Sequence, residues 1–468
     1  MPLLTPRPII RLAIALIAMA VTACGHGRGS SDSEPDSLAY RFPDTLRVGT
    51  LYSPASYFIY REEPMGYDYD LAKRLAADKG MVLKLEVAPS LARVVEMLDS
   101  GLIDLVAYEV PVTGEYRSRV VPCGFESVTH QVLVQPKSDS CITDVTQLVG
   151  REVFVEKNSK YHHRMDNLNE ELGGGIRVTA IHRDTLITED LIAMVSKGEI
   201  PLTVVDSDIA LLNKSYYNDL DITLQISFPQ RAAWGVAPGR EWLADSINAW
   251  VQGEKPRQQQ SRLLKRYFEQ SKDPTLSMTI DLSKGRVSPF DHLFKHYAAQ
   301  IGWDWRLIAS QGFAESRFDS TQVSWAGARG VMQIMPRTAR AYGLSSDMIT
   351  NTNASISTAV KIISDLDKSL SRKVPDPVER KKFVLAAYNS GLAHILDAIA
   401  LAEKYGIDPQ VWDDNVSRAL LLKSKPEYYN DPVCKHGYFR GRETVEYVKS
   451  VFAFYERVKA KDISFAHR

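Results

Sequence analysis

Glu315 closes an otherwise apolar run, WDWRLIASQGFAESRF (303–318). A carboxylate on an apolar helix face is costly unless it is paired or used. Two features favour a proton on it. Ile308, Gln311 and Gly312 lie seven, four and three residues ahead on the same helical face, and Gly312 leaves open space beside the carboxyl group. The residue also stands near the C-terminal end of the run, where the helix dipole disfavours negative charge. Both push the pKa upward, as a general acid at neutral pH requires. The structural alternative is a buried ion pair with Arg317 or Arg329. Asp319 lies four residues on and would share the face if the helix continued, which would make it the second carboxylate of a hydrolase. The stretch SRFDST reads instead as a helix exit, with Asp319 in a turn.

A second constellation precedes it. Arg117 can grip a carboxylate with a two-pronged fork. Ser159, just ahead of a helical pattern, can add a hydroxyl and backbone N–H groups to the same anion. Asp206 ends an apolar strand and can take an ammonium group, and Tyr52, Tyr57 and Phe58 can form an apolar wall. Together they suit a zwitterion. Each also has an ordinary alternative as a surface ion pair, a cap or a packing residue.

These groups need two different scaffolds. From about 44 to 270, short strand-like runs alternate with amphipathic helices: LRVGTLY (46–52), LAKRLAADKG capped by Asp70, VLKLEVA (82–88), LARVVEMLDSG (91–101) and IDLVAYEV (103–110). A second set follows in REVFVEKNS (151–159), IRVTAIH (176–182), LITEDLIAMVSKGE (186–199) and LTVVDSDIALL (202–212). This rhythm predicts a mostly parallel sheet covered by helices, built twice as two α/β lobes. After 289 the strand rhythm stops. Asp304 caps the glutamate helix, WAGARGVMQIMP (325–336) is a Gly-rich loop ending on a helix-starting proline, FVLAAYNSGLAHILDAI (383–399) is a helix broken at AYNSG, and RGRETVEYVKSVFAFYERV (440–458) is amphipathic.

The chain has 468 residues, 44% apolar and 24% charged, so more than one cored domain is expected. Basic and acidic residues balance at 57 each, which argues against a nucleic-acid polyelectrolyte or a basic membrane-surface protein. The four cysteines and the adjacent His162 and His163 have no metal-type spacing, so neither metal nor cofactor is expected. Arg7 and Arg11 flank a short apolar run, IIRLAIALIAMAV (9–21), which suits an export signal better than a membrane span. Export permits a disulfide, and Cys123–Cys141 could close a short loop.

Three resemblances follow from these residues. Val21-Thr22-Ala23-Cys24 resembles a bacterial lipobox, which implies lipidation of Cys24. The polar stretch after it, GHGRGSSDSEPDS, is a tether, and Gly25 leans toward the outer membrane, facing the periplasm. Residues 44–270, through GYDYDLAKRLA (66–76), Arg117 after VTGEY and LTVVDSD (202–208), resemble the amino-acid-binding family of periplasmic solute-binding proteins. That resemblance implies a cleft in which Arg117 and Asp206 hold the α-carboxylate and α-amino groups of an amino acid or a stem peptide. The segment NSKY (158–161) departs from the family's small-residue turn, which weakens Ser159.

The second region carries Glu315-Ser316, Gly330-Val331-Met332-Gln333, Ala387-Tyr388-Asn389 and Glu443-Thr444-Val445-Glu446-Tyr447-Val448, in the order of the soluble lytic transglycosylases with their goose-type lysozyme-like helical fold. Val331 stands where leucine is usual. The resemblance implies cleavage of the MurNAc–GlcNAc β-1,4 bond of peptidoglycan glycan strands, with Glu315 as acid and then base. It gives supporting roles to Ser316 (orienting the carboxyl group), Gln333 and Asn389 (substrate hydrogen bonds), Met332 and Tyr388 (apolar walls) and Tyr447 (a donor to Glu315 or the sugar). The expected organisation is a signal peptide at 1–23, a tether at 24–43, a binding-protein-like domain at 44–270, a linker at 271–289 and a lysozyme-like domain at 290–462. The alternatives are a glycan-binding sensor lipoprotein without catalysis and a lysozyme-type hydrolase using Glu315 and Asp319.

Overall fold

The first half supplies the strands. In chain order these are β1 (Thr45–Leu51), β2 (Phe58–Tyr60), β3 (Glu63–Met65), β4 (Val82–Ala88), β5 (Leu105–Pro111), β6 (Val121–Thr129), β7 (Gln131–Pro136), β8 (Glu152–Glu156), β9 (Arg177–Ile181), β10 (Thr203–Asp206), β11 (Leu220–Asp221) and β12 (Gln230–Val236). The structure is a computed structural model that describes residues 42–112, 116–181, 188–270 and 286–466, with side chains as far as 460. The export signal, the tether, Cys24 and most of the expected linker lie outside the described residues.

The strands form two five-stranded sheets, ordered β4-β1-β5-β12-β6 and β11-β7-β10-β8-β9. Crossover helices keep β4, β1 and β5 parallel, and likewise β10, β8 and β9. The strands next to the crossings between lobes, β6, β7 and β12, run antiparallel to their neighbours. The chain passes from the first sheet to the second at His130 and returns before β12, so two strands of chain join the lobes. Some local expectations shift. Gly66, not Asp70, precedes the first helix (Tyr67–Asp78), and Asp70 accepts a 2.7 Å hydrogen bond from the Tyr267 hydroxyl instead. LTVVDSDIALL divides into β10 and a helix, Ser207–Lys214. Cys123 and Cys141 are free thiols, and Cys123 is buried in the core of the first lobe, so the considered bridge is absent.

The second half is helical around one large apolar core. Its main elements are Trp305–Ser316, capped by Asp304 through the Arg306 N–H, then Thr352–Leu370, Pro377–Ser390, Leu392–Lys404 and Arg442–Ala466. Gly391, at φ 98°, makes the break between the third and fourth.

The two halves are not separate bodies: residues 42–468 form one compact unit. Ala326, Ala328 and Met335 of the Gly-rich loop belong to the core of the first lobe, where Trp325 packs among Phe58, Tyr60 and Tyr267. The hairpin β2–β3 lies at this junction, with the second half beyond it.

Candidate active site

Glu315 is 9% exposed and ends its helix one residue before the last helical position. Arg317 and Phe318 take left-handed backbone (φ 55° and 68°), which turns the chain away. Asp319 therefore leaves the face of Glu315. Its Oδ1 accepts from the Thr321 N–H (2.8 Å) and hydroxyl (2.7 Å), and these bonds hold its pKa below the ordinary carboxylate range. It is a turn residue, and no second carboxylate stands beside Glu315 through it.

The motif residues gather as a shell. The Tyr447 hydroxyl donates to Glu315 Oε1 at 2.7 Å. Ser316 does not orient the carboxyl group here; its Oγ donates to the Val331 carbonyl at 2.8 Å and ties the helix to the Gly-rich loop. Tyr388 donates to the Met332 carbonyl (2.8 Å), and Asn389 Oδ1 accepts from the Thr444 hydroxyl (2.8 Å). Gln333, at φ 46°, donates from Nε2 to the Gln322 and Gly330 carbonyls. Met332 is fully buried. The space expected beside Gly312 is filled: a Cβ there would lie 3.0 Å from the Phe294 ring and 3.2 Å from the Met332 sulfur. Glycine thus serves close packing under the site. Gln311, on the same face, is fully buried with neither amide atom partnered among the described residues.

Glu315 is ion-paired, with neither Arg317 nor Arg329 but with Arg61 at the tip of the β2–β3 hairpin (Nη2–Oε2 3.0 Å). The same guanidinium donates from Nη1 to the Gln333 carbonyl (2.6 Å) and from Nε to the Asn389 carbonyl (3.1 Å). Arg61 and Glu62 both have positive φ (48° and 64°), so the tip is a tight turn. Around it the Arg61 N–H donates to the Ser390 carbonyl, Glu62 Oε1 accepts from the Ala393 N–H, and His394 Nε2 lies 2.9 Å from the Ile59 carbonyl. His394 is backed by a fully buried lysine, Lys423, whose Nζ is 2.5 Å from Asp397. Burial lowers the Lys423 pKa, and Asp397 partly restores it. Beside the hairpin tip a cavity of about 480 Å³, lined by Met335, Tyr342, Leu366, Leu392 and Leu396 among others, stays open. Sequence reasoning missed Arg61 entirely. It lies 254 residues from Glu315, in a turn with no pattern of its own.

The second lobe grips the other side. Arg440 stacks on the Tyr216 ring (4.1 Å) and pairs with Glu443, Arg442 pairs with Asp190 (2.5 Å), and the Tyr438 hydroxyl meets Glu189 at 3.4 Å. These contacts hold the start of the helix that carries Tyr447.

The cleft residues are placed unevenly. Asp206 pairs with Lys160 and accepts from the Tyr161 hydroxyl (3.2 Å). Ser159 caps the helix Lys160–Glu171, accepting from the His162 N–H. Tyr57 is buried between Tyr52 and Tyr69, with ring centroids 5.5 and 5.4 Å apart. Tyr52 faces Gly437 of the second half, where any Cβ would overlap its ring. Arg117 stands on an exposed turn.

Two family models match: residues 46–270 fit bacterial extracellular solute-binding proteins, family 3, and residues 292–411 fit the transglycosylase SLT domain. The chain is 33% identical over 418 residues to membrane-bound lytic murein transglycosylase F of Desulfosudis oleivorans, covering 87% of this chain and 88% of that one. It is 29% identical to the protein of the same name from Idiomarina loihiensis, covering 98% and 99%. Among solved structures, the unliganded L-cystine solute receptor of Neisseria gonorrhoeae covers 48% of this chain and 93% of its own (18% identity, TM-score 0.41). With 33% identity over 87% of its length to such a relative, the chain belongs to the membrane-bound lytic murein transglycosylase F family.

Proposed function

We propose that this lytic murein transglycosylase cleaves the MurNAc–GlcNAc β-1,4 bond with Glu315 alone as acid and base. The observation that carries the reading is Asp319 turned away into its own loop, which leaves Glu315 with Tyr447 on one oxygen. Protonated Glu315 gives its proton to the leaving glycosidic oxygen. The substrate's own N-acetyl group stabilises the sugar cation, as in other substrate-assisted glycosidases. Glu315, now a carboxylate, takes the proton from the C6 hydroxyl, whose oxygen bonds to C1 and leaves a 1,6-anhydro ring. No water is consumed, and a positioned acid/base of this kind contributes roughly 10²–10⁴-fold. Mass analysis of products from purified sacculi tests it. Anhydro ends are expected, and products heavier by one water would establish a hydrolase.

The first domain acts as a regulator. Arg61 sits on Oε2 of Glu315, where a leaving glycosidic oxygen would have to approach, so this arrangement is a closed enzyme. Lobe one holds the acid through Arg61, and lobe two holds the Tyr447 helix through Arg440 and Arg442. A cell-wall peptide or amino acid that changes the angle between the lobes pulls these two grips apart. Such a ligand activates by the difference in its affinity for the two states. Titration of stem peptide against sacculus cleavage tests this, and binding without a rate change would sink it. Relatives carry "membrane-bound" in their names. No described helix is long and apolar enough to span a membrane, and we assign attachment to a lipid on Cys24, at the periplasmic face of the outer membrane.

A further inference from the structure

A buried ion pair in the second half has no part in the catalytic reading. Lys423 is 0% exposed and Asp397 3%. Lys423 Nζ donates to Asp397 Oδ2 at 2.5 Å and lies 3.0 Å from His394 Nδ1. A buried ion pair adds little stability over apolar packing of the same volume, so its use lies in orienting its neighbours. An ammonium group has three donors and no acceptor. His394 Nδ1 is therefore the bare, accepting nitrogen, and Nε2 carries the proton. That proton points at the Ile59 carbonyl, 2.9 Å from the nitrogen. His394 is itself fully buried, and burial with Lys423 beside it pushes its pKa well below the ordinary value, so the ring stays neutral.

Ile59 stands two residues before Arg61 on β2, opposite Pro64 on β3. Positive φ at both Arg61 and Glu62 makes the connection a two-residue turn of type I′. The flanking pair, Tyr60 and Glu63, is then the hydrogen-bonded one, and at Ile59 the carbonyl points out of the ribbon. β2 and β3 form a sheet of their own, with three residues in each strand, too short to be stable alone. The direction of the Arg61 arm is thus set by what the hairpin docks on. Contacts through Arg61 and Glu62 hold the tip, whereas His394 holds the arm behind it. The same cluster anchors the segment ahead of the Tyr447 helix. Asp397 accepts from the Lys435 N–H (3.1 Å) and the His436 N–H (2.9 Å), and Phe439 stacks on His394 at 4.3 Å. Tyr438, between them, reaches Glu189 of the second lobe.

We propose that His394, held in its Nε2–H tautomer by Lys423, is a positioning residue that pins the hairpin so that Arg61 lies on Glu315. This deepens the regulatory reading above and rests on it. At this cluster the grip of lobe one, through the hairpin, meets the grip of lobe two, through the segment 435–442. A shift of either lobe pulls on the Ile59 bond and loosens Arg61.

Initial muropeptide release from sacculi by the full chain, with no peptide added, tests it beside a melting curve for each variant. His394→Phe keeps the stack on Phe439 but has no ring nitrogen. It should raise the basal rate about 3- to 10-fold, the net contribution of one hydrogen bond. His394→Gln can accept from Lys423 and donate to Ile59 through one amide, so it should stay within about twofold of the parent. In an Arg61→Ala background, His394→Phe should add nothing further, since the contact it positions is already gone. A merely structural histidine would lower the rate in both backgrounds. A second readout needs no folded His394→Phe: nitrogen NMR of histidine-labelled parent, with the His394 signal assigned by its loss in His394→Gln, should show the Nε2–H tautomer. An Nδ1–H tautomer, a folded His394→Phe no faster than the parent, or a His394→Gln as fast as His394→Phe would overturn the proposal. Arg61→Ala separates the failures. A faster Arg61→Ala with an unchanged His394→Phe refutes only the role of His394, whereas an unchanged Arg61→Ala refutes the autoinhibition on which it rests.

Discussion

Replacing Arg61 by alanine should make the enzyme faster. The guanidinium contributes three bonds to the closed arrangement: one to the Glu315 carboxylate and two to the carbonyls of Gln333 and Asn389. In an open arrangement the same group is solvated, so only the difference counts. A hydrogen bond to a charged group contributes about 1.5–3 kcal/mol net. Removing one partner of a buried ion pair costs about 3–5 kcal/mol, much of it from stranding the other charge. Taking about 2–3 kcal/mol as the loss of preference for the closed state gives about 30- to 150-fold in the open-to-closed ratio. Basal release of muropeptides from sacculi should rise toward that factor, capped by the fully open rate. Arg61→Lys keeps the charge but loses the planar fork, so it should fall between the two. The assay is initial product release by mass spectrometry, beside a melting curve for each variant. A folded Arg61→Ala enzyme no faster than the parent would refute autoinhibition, and a slower one would put Arg61 in the catalytic machinery.

Glu315→Gln should lower cleavage by about 10²–10⁴-fold with the fold intact, checked by product release and circular dichroism. Tyr447→Phe removes the 2.7 Å bond to Glu315 and should reduce kcat by about 5- to 30-fold, more than it changes KM, in steady-state kinetics on soluble glycan. Asp397→Asn strands the buried ammonium of Lys423 and should cost about 3–5 kcal/mol, seen as a lower melting temperature and a loosened hairpin contact through His394. Glu109→Gln should stabilise the unliganded protein in a pH-dependent way. The folded pKa of Glu109 lies near 7 against an ordinary 4.5, so the parent's stability is full below 4.5 and declines as pH rises toward 7. The variant's advantage should therefore grow from pH 4.5 to pH 7, to at most about 3 kcal/mol, and stay level above it. Melting curves across that range check it, and a gain confined to acid pH would contradict the assignment.

Features that repeat locally were legible in residue order alone. Apolar runs become β1, β4 and β5 within a residue or two, and β8 ends three residues short of its run, because a strand's burial pattern is written into successive residues. Asp304, Pro336 and Gly391 mark helix ends for the same reason, since caps and breaks are short-range chemistry. The four motifs around Glu315 were legible by their order, and Tyr447 indeed reaches its carboxylate. The partner of that carboxylate came from the packing of the two halves against each other. Arg61 meets Glu315 because a three-residue hairpin arm of the first domain reaches into the second, and no periodicity connects residues so far apart. The filling of the space at Gly312, the turning away of Asp319 and the commitment of Asp206 to Lys160 have the same cause. Each depends on which surfaces come together. A residue's type states what chemistry it can do, and its neighbours in space decide whether it is free to do it.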